Sequence, residues 1–410
     1  MDTQFRPIES LERRRLMAAG ELDPTFGANG VAALPYVGFD TAAEVLPDGK
    51  ILVAATEHFN EIVQFALRRF LANGTPDATF GGVANGQPAG TPVGTVRHVA
   101  GGATVGIPAH VDDLDVLPDG KILVAGAVGG FDVEYAVARF NADGSLDTTF
   151  GGFPGGGSSL PMLPGTAEVD FPDHDDQRLA LESMAVAPDG RIALAGAYSQ
   201  GDLGVVALLN PDGSVDRLHN WAQSFQSQPN FSEYGGGAVA FLPDGTLIVG
   251  GTATTLVSSG TDFLRTTWVL RAFDRTGRMV WDAPPPQDLP EAVTGLVVEP
   301  GGTVLAAGSR GSSMVVARVG PDGAFDPAFG NGGGLASASV GPNNVAGPAG
   351  IERLPDGRFY VLGRQLNPGE DYTFYLTRFL PSGVADPTFG GLHRVAALDQ
   401  ASSTASTGCS

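Results

Sequence analysis

The sequence predicts an all-β fold, a six-bladed β-propeller of four-stranded antiparallel blades. Three observations carry that expectation. First, Pro-Asp-Gly followed by a short apolar run stands at 47–49, 118–120, 188–190, 243–245 and 355–357, with Pro300-Gly301-Gly302 as an altered sixth copy; the intervals are 71, 70, 55, 57 and 55 residues. A repeat of this size is one supersecondary unit copied around a ring or along an array. Second, each repeat carries a later phrase, Arg69-Phe70-Leu71-Ala72-Asn73-Gly74 and then Asp77-Ala78-Thr79-Phe80-Gly81, which returns at 139–151, 318–330 and 378–390. Third, the residues four before each turn proline (Ala43, Leu114, Met184, Val239, Leu296, Ile351) are all apolar, and those two before it (Val45, Val116, Val186, Phe241, Val298) are apolar except Arg353. Period-two apolar positions are what inner strands packed on neighbouring blades require.

Residues 1–19 read as a targeting segment, 20–398 as the propeller and 399–410 as a disordered tail. A lone Asp23-Pro24-Thr25-Phe26-Gly27 precedes the first complete repeat. Residues 20–36 are expected to pair as an outer strand that helps close the ring. In repeat one, residues 43–46 form the first strand. Pro47-Asp48-Gly49 follows as a tight hairpin turn, with Pro at its favoured φ and Gly in the left-handed position. Residues 51–55 and 62–70 form the next strands, Asn73-Gly74 starts a third turn, and Asp-x-Thr-Phe-Gly leads to an outer strand near residues 31–34 or their equivalents. No helical pattern separates the strands, which excludes α/β folds. Repeat three keeps Asn210-Pro211-Asp212-Gly213 and Asp216 but loses Phe-Gly, and repeat four keeps only Arg275-Thr276-Gly277.

Composition narrows the function classes. The formal net charge is −21, which disfavours nucleic acid, since phosphate binding needs clustered Lys and Arg. Cys409 is the single cysteine, so no disulfide within the chain and no Cys-based zinc site can form. Lys50 and Lys121 are the only lysines, and carry no functional weight in the sequence. No apolar run reaches the ~18 residues of a membrane span. The start is too polar for a conventional signal peptide.

Leu46-Pro47-Asp48-Gly49-Lys50-Ile51-Leu52-Val53-Ala54, its copy at 117–125, and the phrase at 139–151 resemble the bacterial delta-60 repeat. The resemblance spans residues 20–398 and is specific in repeats one, two, five and six. It implies a propeller-like, mostly exported protein of unassigned biochemical role. The start Glu9-Ser10-Leu11-Glu12-Arg13-Arg14-Arg15-Leu16 resembles a Leu-Glu-x-Arg motif of bacterial cell-surface proteins. Together they imply an extracellular or cell-surface location.

Nucleophile elbows and His-x-x-x-His pairs are absent from the sequence, and its Gly-rich runs lie between strands. No cofactor is expected, with calcium as the one ion considered. The acidic stretch with Asp173, Asp175 and Asp176 has the ligand types that suit it. Third before the turn prolines stand Glu44, Asp115 and Glu352, joined by Asp113 at the fifth position. They belong to repeats six, one and two, which are consecutive in a closed ring. Inner-strand ends line the channel, so these carboxylates are candidate ligand contacts. Trp221 and Tyr234, on the variable connections, are candidate stacking groups. Arg69/Asp77, Arg139/Asp147, Arg318/Asp326 and Arg378/Asp386 are expected to be structural ion pairs within their own blades. Repeat three replaces the Arg with Leu208, and repeat four has Ala272 and Val280 in place of both partners. The functional expectation is a monomeric, non-enzymatic binding module for a protein or glycan, with no nucleic acid partner. A propeller hydrolase or lyase using channel carboxylates is the alternative, and a scaffold the third.

Overall fold

The structure, a computed structural model, describes residues 23–32, 41–59, 62–81, 94–98, 111–129, 133–152, 164–169, 179–198, 204–220, 231–257, 263–283, 292–310, 313–330, 334–339, 345–366, 372–389 and 395–399. These form a six-bladed β-propeller of four-stranded antiparallel sheets, each sheet a meander in chain order. Blade one is Thr41–Val45, Ile51–Phe59, Ile62–Phe70 and Thr95–His98 (β1–β4). Blade two is Asp113–Val116, Ile122–Gly129, Val133–Phe140 and Thr166–Val169 (β5–β8). Blade three is Leu179–Val186, Ile192–Tyr198, Gly204–Leu209 and Val215–Asn220 (β9–β12). Blade four is Phe231–Phe241, Leu247–Val257, Phe263–Phe273 and Met279–Asp282 (β13–β16). Blade five is Ala292–Val298, Val304–Arg310, Ser313–Val319 and Leu335–Ser339 (β17–β20). Blade six is Val345–Arg353, Phe359–Leu366, Tyr372–Phe379 and Val395–Asp399 (β21–β24). First strands of consecutive blades pack side by side from β1 through β5, β9, β13 and β17 to β21 and so surround the axis.

The repeated turns do what their residues require. Gly49 has φ 81°, and its amide donates to the Leu46 carbonyl at 2.8 Å. Any side chain here would be strained. The third turn closes in the same way, Gly74 N–H to Leu71 O at 2.8 Å. The two turns of a blade stack at one end, where a Cβ on Gly49 would meet Ala72.

Two expectations are corrected. The outer strand of blade one is β4, beyond the connection 82–93, because Gly81 at φ 52° turns the chain aside. Residues 23–31 form no strand of any sheet. Asp23 Oδ1 instead accepts from the Thr25 amide and hydroxyl at 2.9 and 2.6 Å, coiling the segment into a tight turn that cannot extend.

The core lies between blades. Leu52, Leu67 and Phe80 of blade one meet Leu114, Val124 and Phe140 of blade two. Equivalent clusters join blades two and three, three and four, four and five, and five and six. Among the described residues, no such cluster joins blade six to blade one. Val45 there is 67% exposed and Ala43 is exposed too.

Candidate functional site

The channel wall is built by the first strands, and their register decides which side chains reach it. Glu44 on β1, Asp113 and Asp115 on β5, and Glu352 on β21 converge electrostatically. Burial, followed by the charges of Asp115, Glu352 and Asp113, pushes Glu44 up to about 7. Its Oε2 is buried and accepts no hydrogen bond. Burial also raises Asp115 and Glu352. Asp113 rises to about 6, mainly through burial, against hydrogen bonds from the Met184 and Leu114 amides. Those bonds are 2.7 Å to Oδ2 and 2.8 Å to Oδ1. Asp113 therefore straps β5 to β9 as well as facing its carboxylate neighbours. Ser183 makes the next strap, accepting from the Val239 amide at 3.3 Å.

A fifth carboxylate escapes a fixed-register reading. Ala195 pairs with Ser183 and Gly196 with Leu181, so Glu182 is the extra residue of a β-bulge. Bulges re-aim side chains and gather near functional sites. Burial pushes Glu182 up to about 7, and its Oε2 lies over Gly237 of blade four, 3.4 Å from where a Cβ would stand. The register skips again at Thr294, and first strands β13 and β21 also slip. The sequence signal available for Glu182 was its position six before Pro188, matched by Gly237 before Pro243.

The Arg–Asp phrase forms a clasp between blades. In blade two, Arg139 Nε donates to Asp147 Oδ2 at 2.7 Å. Its guanidinium carbon lies 4.5 Å from the Phe150 ring centre, and Nη1 reaches the Pro211 carbonyl of blade three at 2.6 Å. Asp147 Oδ1 takes the Thr149 hydroxyl at 2.6 Å. Arg69/Asp77 and Arg378/Asp386 bond at 2.8 Å each, and Arg318 Nε reaches Asp326 at 2.9 Å. Lys121 adds a third partner to Asp147 at 2.7 Å, and Lys50 lies 3.7 Å from Asp77. So the two lysines have a structural use that composition did not show. Burial opposes ionisation of Asp147, but the bonds from Lys121 and Thr149 and the Arg139 charge hold it well below the usual carboxylate range. Phe80 and Phe150 are fully buried beneath Gly144 and Gly213 of the following blade. Blade four, lacking the pair, uses Arg271–Asp282 at 3.3 Å, and Trp281 replaces the Phe, donating to the Pro321 carbonyl at 2.9 Å.

Trp221, Asp173, Asp175 and Asp176 lie outside the described residues. Tyr234 is corrected from a variable connection to strand β13, where it pairs with Thr252 and only its backbone is described. Among the described residues, no group of three His, Cys, Asp or Glu side chains could hold a metal ion, and no helix is long and apolar enough to cross a membrane.

Residues 46–80, 117–150 and 187–217 match the profile of a family described as a domain of unknown function (DUF5122) beta-propeller. The match supports a propeller-repeat family. No curated protein matches the chain in sequence. Among solved structures, the chain is similar to a polysaccharide lyase, Uly1, at 12% identity and TM-score 0.50, covering 83% of this chain and 77% of that one. It is also similar to an alpha-L-arabinanase of Penicillium chrysogenum complexed with arabinobiose, at 13% identity and TM-score 0.45, covering 88% and 92%. A third is Sqt1 of Chaetomium thermophilum bound to the N-terminus of the ribosomal protein L10, at 13% identity and TM-score 0.42, covering 83% and 84%. At these identities the likeness shows the fold alone. The expectation that the chain is not an enzyme is withdrawn, because the architecture it shares with the lyase does not exclude catalysis.

Proposed function

We propose that the channel carboxylates hold a neutral, hydroxyl-rich ligand, a glycan chain, at the axis of the propeller. The observation that supports this reading best is the convergence of Glu44, Asp113, Asp115 and Glu352 from three adjacent blades, with Glu44 Oε2 buried and without a hydrogen-bond partner. A carboxyl group that is protonated near neutrality donates one hydrogen bond and accepts others, which suits sugar hydroxyls. Anionic ligands are disfavoured by the surrounding charge. Trp221, and Tyr234 near the start of β13, would add stacking. The delta-60 type repeats and the Leu-Glu-x-Arg start support a working location outside the cell or on its surface, with a single copy of the chain as the binding unit.

A second reading, acid–base cleavage of that glycan, draws on one specific contrast. Glu44 Oε2 is buried without a hydrogen-bond partner, whereas both carboxylate oxygens of Asp113 accept backbone amides. Carboxyl groups whose environments separate their pKa values can divide acid and base roles. The test is calorimetric titration of neutral and acidic oligosaccharides, with product analysis, in the wild type and a Glu44→Gln, Asp115→Asn, Glu352→Gln variant. Binding of a neutral glycan that the variant loses supports the reading. Equal binding by both proteins, with the fold intact, refutes it. Product release in the wild type decides for cleavage.

A further inference from the structure

The clasp repeats with one grammar. In blades one, two and five the Phe of the phrase packs under the third-turn Gly of the next blade, and the following Gly donates its amide to that turn. Gly81 donates to Asp143 O at 3.4 Å, Gly151 to Asp212 O at 2.7 Å and Gly330 to Ser382 O at 2.8 Å. Phe80, Phe150 and Phe329 stand against Gly144, Gly213 and Gly383, each about 2.9 Å from where a Cβ would be. Around a closed ring, blade six would offer its phrase to the turn of blade one at Asn73-Gly74.

That turn is already filled. Gly27 donates to Asn73 O at 2.7 Å, and Phe26 and Gly27 crowd Gly74, with Gly27 N 2.8 Å and the Phe26 ring 3.0 Å from a Cβ there. Blade six carries the complete chemistry nonetheless. Arg378 Nε bonds Asp386 Oδ2 at 2.8 Å, Nη2 bonds Thr388 at 3.1 Å, and the guanidinium carbon lies 4.9 Å from the Phe389 ring centre. The difference is Nη1. In Arg69, Arg139 and Arg318 it reaches a carbonyl of the next blade, Ala142, Pro211 and Pro381. In Arg378 it reaches the Tyr360 hydroxyl of its own blade at 3.4 Å. Phe389 likewise packs edge-on against Tyr360 of its own blade. The junction between blades six and one, where no apolar cluster is found among the described residues, falls at the same place.

We propose that residues 23–27 and the blade-six phrase beginning at Asp386 are rival plugs for the same socket at Asn73-Gly74. The N-terminal plug, seated in the socket, keeps blade six from clasping blade one. Both plugs carry Asp-Pro-Thr-Phe-Gly, so the socket can take the Phe-Gly pair of either. Occupancy is decided by position along the chain, and displacing one plug shifts the population to the other.

The test is a crosslink. Arg69 joins the Thr79 hydroxyl and the Ala142 carbonyl through one guanidinium, so the counterparts Thr388 and Ala72 come together only when blade six clasps blade one. In a Cys409→Ser background, Thr388→Cys with Ala72→Cys is oxidised with Phe26 intact and with Phe26→Ala. Thr79→Cys with Ala142→Cys is the geometric control. A second plug variant, Asp23→Ala with Thr25→Ala, dismantles the plug's own turn while sparing every buried group, in case Phe26→Ala does not fold. The proposal expects the engineered disulfide between positions 72 and 388 to form at least about tenfold faster once the plug is disabled, a modest population shift. Equal rates with and without the plug, no bond in either while the control pair closes, or a product linking two chains would each overturn it.

Discussion

Asp147 shows how much one repeated residue carries. One carboxylate oxygen organises the turn through Thr149, and the other gathers Arg139 and Lys121. The pair is largely buried, with side-chain exposures of 11% for Arg139 and 5% for Asp147. Removing Arg139 leaves buried Asp147 with Lys121 as its one remaining cation and takes away the contacts to Phe150 and the Pro211 carbonyl. Arg139→Ala is therefore expected to lower stability by about 3 kcal/mol in urea melts. Arg318→Ala should cost less, because its exposures are 25% and 31%. Equal losses at both sites would show that burial does not set the value of the pair. The Arg–Asp spacing was legible because it recurs in four repeats. The reach of Nη1 into the next blade was not, since no feature within one repeat encodes its neighbour.

At the scale of the element, the Phe–Gly contact joins the blades. Gly144 has φ 89°, and a Cβ there would lie 2.6 Å from Val96 and 2.9 Å from the Phe80 ring. Phe80→Ala leaves a cavity at this junction and is expected to cost about 3–5 kcal/mol. Gly144→Ala should destabilise the same junction without removing an apolar atom, through backbone strain and overlap together. The first strands were readable from the apolar alternation before the turn prolines. The bulge at Glu182 was not, because a slip exists only relative to the partner strand β10. That is why Glu182 escaped a reading that counted fixed positions before the turn proline, whereas Glu44, Asp115 and Glu352 shared one position and were found. The N-terminal phrase was visible as surplus. Its coiled conformation followed from Asp23 and Thr25, residues whose hydrogen bonds compete with strand pairing.

Across the whole molecule, two populations of carboxylates pull stability in opposite directions with pH. The clasp aspartates, Asp77, Asp147 and Asp386, have folded pKa values below the usual range. Their contribution is present above the unfolded value of about 3.9 and is lost as pH falls through the lower folded value. Glu44 and Glu182, pushed up to about 7, hold a proton in the folded state that the unfolded chain releases near its ordinary value. Their contribution is complete below about 4.3 and is lost as pH rises toward 7. Thermal melts are thus expected to show greatest stability near pH 4–5 by this linkage. The Glu44→Gln variant should lose less stability than the wild type between pH 5 and 7.5. A wild-type optimum above pH 7 would contradict the assignment.

The proposed function depends on Glu44, Asp115 and Glu352 acting as one coupled group, and carboxyl carbon NMR titration of glutamate-labelled protein examines that directly. The account predicts two glutamate midpoints near 7. One disappears in Glu44→Gln and moves to lower pH in Asp115→Asn and in Glu352→Gln, because each removes a charge that opposes ionisation. The other belongs to Glu182 and stays in place. Glutamates that all titrate at about 4–5, as in unperturbed peptides, or a Glu44 midpoint indifferent to both neutralising substitutions, would contradict it.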